Sequence, residues 1–161
     1  MAAVTVTLSN QVLIAQVAMR ASFEGRSARD TDGSSLYDTV RVTEQDHPLL
    51  ESFIADARDN LVAQYPDLAT INTGNVVYTI ESSVWDTNLE TAVQAQSIGF
   101  IVNYCCRRWF ELRLPAVVQS YQDRAALCIL NLNTILYSRK APVKGDGTGL
   151  SGLVNITTPQ N

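Results

Sequence analysis

A single histidine, His47, stands directly before Pro48. A hydrolase of the Ser-His-Asp or Cys-His type would need that histidine as its general base. Nothing in the neighbouring sequence marks a nucleophile for it, so His47 reads as a capping or solvent-facing side chain at a helix start. The three cysteines, Cys105, Cys106 and Cys128, are odd in number and two are vicinal, which gives no disulfide framework. All three fall in apolar helical patterns, where a small buried hydrophobe accounts for each. Their use fits synthesis in a reducing cytoplasm. There is no CxxC, no HExxH and no acidic spacing of a calcium loop, so no metal is expected.

One stretch imitates a cofactor site. Gly147-Thr148-Gly149-Leu150-Ser151-Gly152 matches the G-x-G-x-x-G dinucleotide fingerprint. That fingerprint works when a strand delivers the chain to a pyrophosphate and a helix N-terminus receives it. Here a helical pattern and Pro142 come before it, and only nine residues follow, Pro159 among them. The second helix and strand have no room, and the match is accidental. Asn155-Ile156-Thr157 is a glycosylation triplet without a secretory context. With neither a catalytic constellation nor a cofactor motif, the chain is expected not to be an enzyme and to need no cofactor.

Charge is the more informative signal. The 161 residues carry a net charge of -4, with 46% hydrophobic and 17% charged residues, which argues against wholesale nucleic-acid binding. The low charge content is read either as surface covered by another protein or as a polar surface rich in Ser, Thr, Asn and Gln. Between Asp30 and Glu90 there are 12 acids against 2 bases, and between Arg107 and Lys144 there are 7 bases against 2 acids. Such a chain can fold into a two-faced particle that packs side by side in a ring, or its folded surface can mix both signs. Arg107, Arg108, Trp109 and Arg113 form a basic and aromatic cluster at the end of a helical pattern. It suits contact with nucleic acid or an acidic partner surface, or else the helix dipole with Trp109 in the core.

The elements that position these residues follow from periodicity. Val4 to Leu8 alternates like a short strand or extended arm, and Ser9 or Asn10 can cap a helix with Val12, Leu13, Ile14, Val17, Ala18 and Ala21 on its apolar face. Residues 25–38 read as a long surface loop. A second helix starts near Thr43 or Asp46, with Pro48 favouring the later cap, and ends at Tyr65-Pro66-Asp67. Glu51, Asp56 and Asp59 lie on its polar face. Residues 71–85 predict a strand or small hairpin turning at Gly74-Asn75, and Thr87 with Glu90 is spaced as a capping box.

A third helix is expected from about Leu89 to Arg113, apolar on most sides, and a fourth from Pro115 to Arg139. The two must form an antiparallel hairpin, with Phe100, Tyr104, Tyr121, Cys128 and Leu132 meeting between them. The fold class is therefore mainly α: a helical bundle on a long antiparallel hairpin, with a short β insertion and extended terminal arms. Residues 1–142 form the domain and residues 143–161 a Gly-rich arm. Leu150, Leu153, Val154 and Ile156 are sticky positions in that arm, suited to a neighbouring chain. No stretch approaches the ~20 apolar residues a bilayer needs, and no secretory signal is evident at the N-terminus, so a soluble protein is expected.

The pattern Asp46-His47-Pro48-Leu49-Leu50-Glu51-Ser52-Phe53-Ile54-Ala55-Asp56-Ala57-Arg58 resembles the opening of small head–tail connector proteins of tailed bacteriophages. Tyr78-Thr79-Ile80-Glu81, Trp85-Asp86, Arg107-Arg108-Trp109-Phe110 and Tyr137-Ser138-Arg139-Lys140-Ala141-Pro142 are similar to segments in phages and prophages of gut bacteria, crAss-like phages among them. The resemblance spans roughly residues 43–142 and leaves the Gly-rich arm without a counterpart. It implies a structural virion protein of the neck, made in the host cytoplasm, forming a homo-oligomeric ring (commonly twelvefold) between portal and tail. Its partners would be copies of itself, portal and tail or neck components, and DNA passing through the lumen without specific binding. Glu51, Asp56 and Asp59 of one copy would meet Arg107, Arg108 and Arg113 of the next, with the arm residues lacing into neighbours. The alternative is a stand-alone cytoplasmic helical adaptor.

Overall fold

Alternation of Val4 and Val6, both buried, with exposed Ala3 and Thr5 makes the first segment a half-buried strand. The computed structural model describes residues 2–81 and 85–138, and in it this strand, β1 (Ala2–Val6), pairs with a hairpin far along the chain. The hairpin strands are β2 (Ala69–Asn72) and β3 (Asn75–Ile80), and β3 lies between β1 and β2 with both pairings antiparallel. Tyr78 stands opposite Val4 on one side and Ala69 on the other. The turn is centred on Thr73 and Gly74, one residue before the expected Gly74-Asn75. Both have positive φ (49° and 80°), the two-residue geometry whose twist suits a tight hairpin and which glycine supplies without strain.

The bundle consists of α1 (Asn10–Ser27), α3 (His47–Ala63), α4 (Glu90–Arg113) and α5 (Val118–Leu136), with a one-turn α2 (Tyr37–Val40) closing the loop after α1. Thr43 and Asp46 satisfy each other across a 3-10 turn that leads straight into α3, so both expected starts of that helix are used. At α4 the cap differs from expectation. The Asp86 carboxylate, not a Thr87–Glu90 box, accepts the Asn88 amide at 3.0 Å and opens a 3-10 turn. Asp86 holds extended backbone one residue before a turn, which is where a side-chain acceptor reaches the free amides. The last helix stops at Leu136, short of the expected Arg139.

α4 is central because it is buried on most sides: Val93, Ser97, Phe100 to Asn103, Cys105, Cys106, Trp109 and Phe110 are all inside. It contacts α1, α3, α5 and β1. α5 packs antiparallel to it, with Tyr121 beside Phe110 (ring centroids 5.0 Å apart) and Cys128 beside Gly99. A side chain at Gly99 would place its Cβ 3.1 Å from the Cys128 sulfur, so the missing side chain lets the two helices close up. Of the residues expected between these helices, Tyr121 and Leu132 are buried, while Tyr104 leans towards α3, where Asn60 donates to its hydroxyl at 3.3 Å. The sheet covers another side of α4, fastened by a hydrogen bond between the Tyr78 and Ser97 hydroxyls at 3.1 Å. On α1, Val12 is exposed rather than part of the buried face. The arm, residues 143–161, lies outside the described residues.

Candidate assembly surface

Helical spacing places Glu51, Asp56 and Asp59 on the outer face of α3, where all three are exposed. The basic cluster at the end of α4 is engaged within its own chain. Arg107 and Arg108 both approach Glu111, one turn on, at 3.4 and 3.6 Å. Both are ion pairs rather than hydrogen bonds, and the two Nε atoms are buried without a hydrogen-bond partner. Arg108 also lies over the Phe53 ring of α3, 5.3 Å from its centroid. Arg113 stacks on Trp109 at 3.5 Å from the ring centroid and donates to Asp46 at 3.1 Å. The structure thus brings the start of α3 against the end of α4 in one chain, while the outer carboxylates of α3 and the solvent-facing parts of Arg107 and Arg108 stay at the surface. Trp109 is buried and donates its indole N–H to the Val40 carbonyl at 2.8 Å. Leu150, Leu153, Val154 and Ile156 lie outside the described residues.

His47 is exposed at the first turn of α3. Cys105 and Cys106 are fully buried, and burial pushes the Cys106 thiol up to about 12 and that of Cys105 upward as well. Cys128 is half-buried, and burial likewise raises it. Thiols held protonated are poor nucleophiles. Among the described residues no group of three His, Cys, Asp or Glu side chains could hold a metal ion, and no helix is long and apolar enough to cross a membrane.

Two exposed apolar stripes were not expected from the sequence, which set Val12 on the core face of α1. On α1, Val12, Met19 and Phe23 share one face by steps of seven and four, and all are exposed, Met19 at 67% and Phe23 at 68%. On α5 and its C-cap, Leu127, Leu130 and Tyr137 do the same by steps of three and seven. The signal was present as a second helical period on each segment, displaced from the period that faces the core. Between the C-terminal half of α1 and the start of α5 runs a groove of about 400 Å³ lined by Met19, Arg20, Phe23, Glu24, Tyr121 and Arg124. The Tyr121 hydroxyl donates to Glu24 at 2.9 Å across it, Arg20 donates to Asn103 of α4, and Arg124 lies over the Tyr121 ring. No protein-family model, no curated protein and no solved structure matches the chain.

Proposed function

We propose that this chain is a structural subunit of a tailed-phage virion, one copy of a ring that joins portal and tail. The carrying observation is the pair of exposed apolar stripes, Val12–Met19–Phe23 and Leu127–Leu130–Tyr137, on a subunit otherwise built around a well-filled core. Large apolar side chains left exposed along one helix face are candidates for protein contact. Two such faces on different helices allow a heterologous contact, in which each copy gives one face and receives the other, and such contacts close into rings. The helical fold with its β hairpin between helices supports the resemblance to head–tail connectors, from which the twelvefold ring, the neck location and the portal and tail partners are inferred. DNA would pass through the lumen without specific binding, consistent with the net charge of -4.

The competing reading is a stand-alone helical adaptor that uses one stripe to hold a different protein. Oligomeric mass by native mass spectrometry, with negative-stain imaging, separates the two. The chain is measured alone at physiological and high salt, and again with portal and tail proteins added. Rings of one copy number support the connector. A chain that remains monomeric in both settings removes the connector reading.

A further inference from the structure

We infer that the groove between α1 and α5 receives the C-terminal arm of a neighbouring copy, with Leu150, Leu153, Val154 and Ile156 covering Met19 and Phe23. This rests on the reading of the chain as a self-assembling subunit and names the contact through which it would do so. The groove presents two large apolar side chains, each about two-thirds exposed, beside the aromatic ring of Tyr121. Covering them removes apolar surface from water, the main driving force of such contacts. The chain carries its own complement. Beyond Ser138 there are 23 further residues; Arg139, Lys140 and Lys144 come first, and from Gly145 to Asn161 the one charged side chain is Asp146, among four apolar positions. The groove holds Arg20 and Arg124 against the single acid Glu24, so its charge balance suits Asp146.

Geometry favours a neighbour over the same chain. The groove adjoins Tyr121 and Arg124 near the start of α5, whereas the arm departs beyond Ser138, at the other end of that helix. The separation along α5 is roughly 26 Å at ~1.5 Å per residue. Donor and acceptor at opposite ends of one helix allow a head-to-tail contact, the kind that propagates round a ring. Folding back within the chain would need most of the ~40 Å that the twelve residues from Ser138 to Leu150 span when fully extended.

The test uses full-length chains in which Cys128→Ala removes the one native thiol that is not fully buried. A Phe23→Cys chain is mixed with a Leu153→Cys chain under mild oxidation, and the disulfide is identified by peptide mass spectrometry. A Met19→Cys chain serves as a second reporter of the groove, and an Ile71→Cys chain reports β2, an outer strand of the sheet. The expected result is an interchain link from Leu153→Cys to both groove positions, at least about tenfold above the link to Ile71→Cys. A dominant link at Ile71→Cys places the arm on the sheet edge and overturns the inference. So does a link formed only within a single chain carrying both Phe23→Cys and Leu153→Cys. Oligomeric mass of the same samples separates the two levels of argument. Assembly without the groove link removes the groove and leaves the ring, and absence of both removes both.

Discussion

Asp46 and Arg113, 67 positions apart in sequence, lie 3.1 Å from each other and tie the start of α3 to the end of α4. The same carboxylate also accepts the amide and hydroxyl of Thr43 at 2.8 and 2.6 Å. Partial burial disfavours its charge, but the hydrogen bonds from Thr43 and the guanidinium of Arg113 outweigh that, and the carboxyl sits below its ordinary value of 3.8. A depressed carboxyl binds its proton less readily folded than unfolded. Its contribution is therefore complete above pH 3.8 and is lost as pH falls below it. Asp46→Ala should cost about 0.5–2 kcal/mol at pH 7, in the range of a lost helix cap. Urea denaturation at pH 7 and pH 3 measures this. The gap between the two proteins should shrink at the lower pH, and an unchanged gap would show that the charge is not what Asp46 supplies.

Gly99 and Cys128 set how closely α4 and α5 approach. Alanine in a helix interior ordinarily gains about 0.5–1 kcal/mol over glycine. At Gly99 that gain is opposed by a contact 3.1 Å from the Cys128 sulfur. Gly99→Ala should therefore be more favourable in a Cys128→Ala chain than in the native one, by about 0.5 kcal/mol or more, as neighbours in contact do not add. A double-mutant cycle in urea reads the coupling directly. Additive effects would mean that the helices yield freely at this point.

The bundle was legible in the sequence because its signals are long and local. α3 and α4 announce themselves by apolar steps of three and four sustained over several turns, and Pro115 marks the break between α4 and α5. The hairpin showed in the β-branched run around Val76 and Val77. What was not legible is non-local. Nothing in Ala2–Val6 says that its partner is β3, seventy or more residues away. The pairing of Arg107 and Arg108 with Glu111, by contrast, is local: steps of four and three on one helix make it readable from spacing. The groove was hidden for a related reason. Met19 and Phe23 read as ordinary helix residues until the packing of Leu13, Val17 and Ala21 fixes which face of α1 is left over.

The buried thiols predict alkaline sensitivity. Burial lifts Cys106 from its ordinary 9.0 to about 12, and burial lifts the Tyr78 hydroxyl from 10.0 to about 12 against the opposing bond with Ser97. Above pH 9 the unfolded chain gives up protons that the folded chain keeps, so stability falls as pH rises from about 9 towards 12 and is unaffected by these groups below that. Urea midpoints at pH 7.5, 9 and 10.5 should be similar for the first pair and lower for the third. In native buffer a thiol reagent should leave Cys105 and Cys106 unmodified, and all three cysteines should react in denaturant. Rapid labelling of Cys106 in the folded protein would contradict the packing.

The charged faces make the prediction that bears most on assembly. If copies meet through Glu51, Asp56 and Asp59 on one side and Arg107, Arg108 and Arg113 on the other, opposite charges set register and encounter rate. Each exposed pair contributes little, and the apolar stripes supply most of the affinity. The structure adds a condition to that test. Arg107 and Arg108 already approach Glu111, and Arg108 lies over Phe53, so reversing them also disturbs the chain's own contacts. Arg107→Glu with Arg108→Glu should slow or block assembly, and adding Asp56→Lys with Asp59→Lys should restore part of it. Circular dichroism and urea midpoints of each variant separate loss of contact from loss of fold. The restored variant is the decisive one. Recovery of assembly without recovery of subunit stability places the charges between copies. Recovery of both together, or normal assembly of the first reversal, assigns these arginines to the interior of the subunit and leaves the apolar stripes to hold the ring.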